Sequence, residues 1–293
     1  MKAEYDIAVQ GADILGEVPL WCERTRRLWW VDVRRPAIQS FDPATGRHTA
    51  QRLAAEMAIG SIALREAGGL LLATNSGFYS YDPAKTEAPQ PIVHPEEQLP
   101  THRMNDGKCD RRGRFWVGSM KDGVREPVGN FYRLDADHQV HFQFGGIHVP
   151  NSISWSPDSR TMYFADTHLQ VIWAYDFDLD AGVMSNRRVF IQFGGEAKPD
   201  GSTVDADGCL WNAQVGVGQV VRITPQGKVD RVIQLPISHA TCPAFGGPGL
   251  DTLYVTSHSQ RLSLAQAARE PYAGSLFAIK TGAKGLPEPR YAG

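Results

Sequence analysis

Hydrophobic and polar positions along this chain fall into one phrase that recurs six times: a tight turn, an apolar strand, a polar break, then a second strand in which aromatic and apolar residues alternate. The copies read RRLWWVDV…AIQSFDPATG, GGLLLATN…GFYSYDPAK, GRFWVGSM…GNFYRLDAD, RTMYFADT…VIWAYDFD, GCLWNAQV…QVVRITPQG and DTLYVTSH…GSLFAIKTG. Aligned on Trp29, Leu71, Trp116, Tyr163, Trp211 and Tyr254, they recur every 42 to 48 residues, which is the period of a four-stranded propeller blade. Ahead of each aligned strand sits a turn cluster: CERTRR, REAGG, DRRG, SPDSR, DADG and GGPGLD. Such Gly, Asp, Pro and Ser clusters suit tight connections between antiparallel strands. The residues before them alternate in type, as in Ser152-Ile153-Ser154-Trp155 and Ser202-Thr203-Val204-Asp205, a period of two that argues strand.

The pattern predicts an all-β protein, a six-bladed β-propeller with a central channel. A blade cannot bury both faces without neighbours, so residues 1–293 are expected to form one domain. One stretch reads as helix: Ser263–Glu270 has a Ser start, good helix formers and Pro271 as a stop, and is expected as a loop insertion in the sixth repeat. The run Tyr5-Asp6-Ile7-Ala8-Val9 alternates but belongs to no repeat. It is placed to pair with the last blade and close the ring, which removes exposed sheet edges.

A hydrophobic content of 42% is ample for a core, and a net charge of -2 gives no reason to expect nucleic acid or an anionic membrane surface as partner. The start MKAEYDIAVQ lacks the apolar run of a signal peptide, and no stretch reaches membrane-spanning length. Cys22, Cys109, Cys209 and Cys242 are scattered without a CxxC pair, which reads as free thiols in a reducing cytoplasm. A monomer or weak homo-oligomer is expected.

Stepping back 11 or 12 residues from each aligned aromatic reaches the start of the innermost strand. Those positions hold Glu17, Asn105, Asn151 and Asp200 in blades one, three, four and five, while blades two and six offer Ile59 or Gly60 and Cys242 or Pro243. Equivalent positions of a propeller lie at one height around the axis, so these four residues are expected at one mouth of the channel. Two carboxylates and two amide oxygens are hard ligands that suit a divalent cation such as Ca²⁺, Mg²⁺ or Mn²⁺. Taken singly, each could equally cap open backbone at a strand start.

LGEVPLW, RMNDGKCDRRGRFWVGSM, PNSISWSPDSRTMYFADT, PDGSTVDADGCLWNA and PAFGGPGLDTLYVTS resemble the gluconolactonase, senescence marker protein (regucalcin) and luciferin-regenerating enzyme family, in order and over nearly the whole chain. The resemblance implies a six-bladed propeller that binds one divalent metal in its channel and hydrolyses a sugar lactone. It implies Glu17, Asn151 and Asp200 as the metal ligands, with Ca²⁺ first among candidates that include Mn²⁺, Mg²⁺, Zn²⁺ and Fe²⁺. Arg103 and Asn105 would contact the substrate. Two positions depart from the family pattern. Val18 replaces the usual Gly after the ligand Glu. The acidic residue that meets substrate hydroxyls in some members has its nearest counterpart in Asp122. In this reading the metal polarises the lactone carbonyl and Asp200 is the general base, with cation-activated water as the competing route. The reaction belongs in a sugar-oxidation pathway, after a dehydrogenase has made the lactone.

His148, His168, His239 and His258 lie near strand ends, and one or two of them are expected to line the pocket. The seven tryptophans read as packing between blades, with Trp30 as an exception because its neighbour Trp29 must face the other side of the strand. No Gly-x-Ser-x-Gly elbow or phosphate-cradling Gly-Lys-Ser/Thr pattern is present. The rival readings are a non-catalytic metal-binding scaffold and a broad esterase or organophosphate hydrolase, which would want a wider, more apolar mouth.

Overall fold

A computed structural model describes residues 5–85 and 87–293; residues 1–4 of the amino-terminal segment and Thr86 lie outside it. The described residues form six four-stranded antiparallel sheets. Their innermost strands are Gly16–Cys22, Ile59–Leu64, His102–Cys109, Pro150–Trp155, Lys198–Val204 and Ala240–Gly246. All six aligned positions fall on the second strand of their blade: Arg27–Asp32, Leu70–Thr74, Phe115–Lys121, Thr161–Asp166, Leu210–Val215 and Thr252–Ser257. Each innermost strand packs against its counterparts in the neighbouring blades, from first to sixth and back to first. The protein is thus a six-bladed β-propeller.

Ring closure is as the alternation predicts. Tyr5–Val9 is the outermost strand of blade six and pairs with Leu276–Ile279, in register Tyr5 to Ile279 and Ile7 to Phe277. Apolar side chains then fill the seams between blades. Trp116 and Phe131 of blade three meet Trp155, Phe164 and Phe177 of blade four, and Trp211 and Val220 of blade five meet Phe245, Leu253 and Phe277 of blade six. Burying these faces is the main stabilising contribution, and no blade could achieve it alone.

Trp30 is not an exception to the packing role. It is buried with Val9, Trp21, Leu28 and Tyr254 in the seam between blades one and six, stacks on His48, and donates Nε1–H to Asp13 at 2.9 Å. Trp29, on the other face, packs partly buried against the seam of blades one and two. Both faces of a propeller blade are interior, so alternation does not send either residue to solvent.

The predicted insertion is a single short helix, Leu264–Arg269, with Ser263 as its N-cap in a capping box with Gln266 and no buried residue. Two turns carry a device not anticipated from the pattern. Asp110 takes the amides of Arg112 and Arg114 and the indole N–H of Trp116. Asp205 likewise takes the amides of Asp207 and Cys209 and the indole of Trp211. In both blades a buried carboxylate locks the hairpin turn to the tryptophan six residues on.

The carboxyl-terminal tail crosses the ends of the innermost strands. Tyr291 is buried, donates its amide to Leu64 O at 2.7 Å and its hydroxyl to Asp135 O at 2.8 Å. Ala292 donates to Gly113 O at 3.0 Å. These partners lie where the strands end and the turns begin, so the tail packs on the end of the propeller opposite to the strand starts.

Candidate functional site

All six innermost strands carry one extra residue relative to the second strand, at the same height. In blade one the register passes from Glu17–Val31 to Leu20–Trp29, three residues against two. The same slip occurs at Asn151–Ala165 to Ser154–Tyr163, at Met104–Ser119 to Gly107–Val117, at Pro199–Gln214 to Ser202–Asn212, and in blades two and six. A β-bulge bends its strand and re-aims a side chain. Glu17 and Asn151 are the last paired residues before the bulge, and Asn105 and Asp200 lie within it. The four residues the spacing picked out thus sit at six-fold-related bulges, and all four line one cavity of about 590 Å³.

The entering loops are pinned just ahead of these residues. Asp32, which ends the second strand of blade one, accepts the amides of Ile14 at 3.0 Å and Leu15 at 3.1 Å. Asp166 does the same in blade four for His148 at 2.9 Å and Val149 at 3.3 Å. Two buried carboxylates therefore fix the approach to Glu17 and Asn151. Their sequence signal is the Asp that closes each apolar strand, in WWVD and YFAD.

Glycine decides why blade two supplies no side chain. A Cβ on Gly60 would lie 1.9 Å from Met104 O, so the backbone of blade three occupies that space. At Val18 the opposite holds. Its φ is 49°, a left-handed conformation that a β-branched residue rarely takes, and its side chain is buried. Val18→Gly is expected to cost about 1–2 kcal/mol less than Val31→Gly on the adjacent strand, because release of left-handed strain offsets part of the lost burial. Urea unfolding of the two variants checks this; equal losses would mean Val18 is unstrained.

Asp200 is a buried carboxylate and Glu17 a half-buried one, neither with an ion-pair partner among the described residues. Burial pushes both well above the usual carboxylate range; the negative charges of Asp200 and Asp106 add to this at Glu17, and that of Asp106 at Asp200. Asp106 is the neighbouring charge that the sequence reading passed over. It is buried, accepts the Ile153 amide at 3.0 Å, and its own carboxyl is raised chiefly by burial. Beneath it Lys108 crosses to Ser202 O at 3.1 Å and faces Glu288 of the tail.

A polar chain runs beside the carboxylates. Arg103 donates Nη1 to Asn105 Oδ1 at 2.6 Å and to Met104 O at 3.0 Å. Asn105 Nδ2 reaches Asn151 Oδ1 at 3.2 Å and Pro150 O at 2.8 Å. Asn151 Nδ2 donates to Thr167 Oγ1, which donates to Pro199 O, both at 2.7 Å. Asp122 stands apart from the cavity lining. It accepts Arg103 Nε at 3.0 Å and both terminal nitrogens of Arg34 at 2.5 and 2.6 Å. Burial would raise the Asp122 carboxyl, but the Arg34 hydrogen bond and then Arg103 outweigh it and hold it well below the usual range. Among the four histidines, His168, His239 and His258 line the cavity. His148 stands behind, stacked on His168 and bonded to Asp166 at 3.0 Å. His239 and His258 stack at 4.3 Å with unpartnered buried Nδ1 atoms. Burial, with the charges of His239 and Arg261 adding to it, pushes His258 down to about 3, so it is neutral at physiological pH.

No cluster of three or more His, Cys, Asp or Glu able to hold a metal occurs among the described residues. The donor set here is mixed: two carboxylates close enough to repel, Asp200 buried and Glu17 half-buried, with amide oxygens beside them. Those are hard oxygen donors short of positive charge, and they fit a hard divalent cation. Among the described residues no helix is long and apolar enough to cross a membrane. All four cysteines are buried and free.

A β-propeller with a carboxylate- and arginine-lined cavity at the strand-start end defines the class. Residues 15–259 match the family model for the SMP-30/gluconolactonase/LRE-like region, and the chain belongs to that family. It is 35% identical to a 6-deoxy-6-sulfogluconolactonase of Pseudomonas putida over all of both chains. It is 34% identical to the regucalcin of Xenopus laevis, covering 95% of each. Among solved structures, a calcium-binding regucalcin from Agrobacterium tumefaciens superposes with a TM-score of 0.93 at 30% identity, over 97% of this chain and 96% of that one.

Proposed function

We propose that this protein hydrolyses a sugar lactone to the free sugar acid, with one divalent cation held by Glu17, Asn151 and Asp200. The observation that carries the reading is the meeting, in one cavity, of two carboxylates without ion-pair partners, Asp200 buried and Glu17 half-buried, with Arg103 and Asn105. The family supports it, as do relatives whose names record a sulfogluconolactonase and calcium-binding regucalcins. A cation bound there would polarise the lactone carbonyl and stabilise the negative charge that grows on its oxygen; Ca²⁺ leads the candidates.

The chain's own residues supply the rest. Arg103 has Nη2 free of hydrogen bonds among the described residues and offers it to substrate oxygens. Asn105, held by Arg103, fixes the height at which the lactone sits. Asp200 takes the proton of the attacking water as the new C–O bond forms. It returns that proton to the ring oxygen as the ring C–O bond breaks, leaving a carboxylic acid and a hydroxyl. Burial raises the Asp200 carboxyl in the cation-free protein; a bound cation would lower it again and leave Asp200 a modest base. Asp122 is a positioning residue that acts through Arg103 and Arg34. The charged cavity wall disfavours the apolar-mouthed esterase. The lactone would come from oxidation of a sugar at its anomeric carbon. Four free thiols favour a reducing compartment, and we place the protein in the cytoplasm.

The test is a panel of aldonolactones assayed by acid release, with and without chelator and added cation. Turnover that falls on chelation and returns with metal is expected. Metal binding without turnover of any lactone would favour the scaffold reading.

A further inference from the structure

Three cations at the cavity mouth have no carboxylate partner among the described residues. Arg125 lies in the loop after Phe115–Lys121 of blade three, Arg261 in the loop after Thr252–Ser257 of blade six, and Lys198 begins the innermost strand of blade five; all line the cavity. Arg125 makes one hydrogen bond, from Nη1 to its neighbour Val124 O at 3.2 Å. Arg261 and Lys198 make none. The deeper cations differ, since Arg34 and Arg103 both clasp Asp122.

Arg125 and Arg261 line the mouth from opposite blades of the ring, three and six, and the charge of Arg261 acts on Arg125. Burial first, then the positive charge of Arg261, depresses the Arg125 guanidinium. Like charges brought together without an anion between them repel, and nothing in the fold requires them there: both sit on loops that could have carried neutral residues. The cavity as a whole holds five basic side chains against Glu17 and Asp200, and a cation at the floor would add to that excess. The charge of this mouth suits an anion.

We infer that Arg125, Arg261 and Lys198 form a subsite for an oxyanion, a sulfonate or phosphate, carried on the sugar lactone at the end remote from its carbonyl. The inference rests on the lactonase reading for the placement of the carbonyl at the floor. Guanidinium forks match two oxygens of a tetrahedral oxyanion at once, and the lysine adds a point charge. The anion would also draw substrate to the mouth electrostatically.

Calorimetry on the full chain tests it without requiring turnover. The probes are three ring-opened acids: gluconate, gluconate with a 6-sulfonate in place of its terminal hydroxyl, and 6-phosphogluconate. At least one anion-bearing acid is expected to bind roughly tenfold or more tighter than gluconate. In Arg125→Gln/Arg261→Gln that preference should shrink toward unity, and in Arg125→Lys/Arg261→Lys it should be intermediate. Whichever acid gains more identifies the group. Equal binding of all three acids by the unaltered protein overturns the subsite, and so does a preference that the Gln pair leaves intact. If the preference behaves as expected but no lactone is hydrolysed, the reading of the floor fails and the anion subsite stands.

Discussion

Asp200→Asn is expected to lower kcat on the best lactone by about 10² to 10⁴, the range typical of removing a general base. The substitution is nearly isosteric, so the bulge and its neighbours keep their packing. It also halves the charge that Glu17 and Asp200 offer a cation. Stability should move the other way. Asp200 is buried, and its carboxyl is raised by burial and then by Asp106, so its ionised form is a cost to the metal-free fold. Removing that charge relieves Glu17 as well, where Asp200 is the strongest neighbouring charge. With chelator present, Asp200→Asn should therefore melt no lower than the parent while turning over far less. Sites that keep such a cost are places where activity opposes stability. A variant with full activity would remove Asp200 from the proton path. A variant that melts well below the parent in chelator would show that Asp200 holds the strand start together.

Much of this site was legible because a propeller repeats. Six copies at one period fixed the blades, and one register step back from Trp29, Trp116, Tyr163 and Trp211 reached Glu17, Asn105, Asn151 and Asp200, which the structure gathers in one cavity. What periodicity could not carry was the reason they converge. Each bulge adds one residue to the innermost strand, and an extra residue is invisible where spacing already varies by a residue or more between repeats. Pairing was equally hidden. Asp122 was named as the nearest counterpart of the acidic residue that meets substrate hydroxyls in some family members; the sequence could not show that Arg34, 88 residues away, closes on it from another blade. Asp106 was read past because its neighbour Asn105 filled the expected position. Trp30 was misread for a physical reason: alternation separates two faces, but in a ring of blades both faces are buried.

Arg103→Ala is expected to lower kcat/KM for the best lactone by roughly 10-fold or more, the loss of one hydrogen bond to a charged group at about 1.5–3 kcal/mol, and to lower stability as well. Arg103 is 5% exposed and ties Asp122 to Asn105. Without it Asn105 Oδ1 loses its donor, and the amide that reaches Asn151 at 3.2 Å is no longer held in one orientation. The damage thus passes to a residue assigned to the cation. The stability loss is limited from the other side, because Asp122 is about a third exposed and keeps both bonds from Arg34. A loss of about 1–3 kcal/mol on urea unfolding is the expected scale for leaving Asn105 and the backbone oxygen of Met104 unmet. Arg103→Lys separates the two effects. Its ammonium keeps the charge beside Asp122 but lacks the fork that spans Asp122 and Asn105 at once, so stability should recover further than kcat/KM does. Arg103→Ala and Asp122→Asn should combine less than additively, because both break the same link. If Arg103→Ala instead lost stability while keeping wild-type kcat/KM, Arg103 would be a structural ion-pair partner alone, and the lactone would have to sit elsewhere in the cavity.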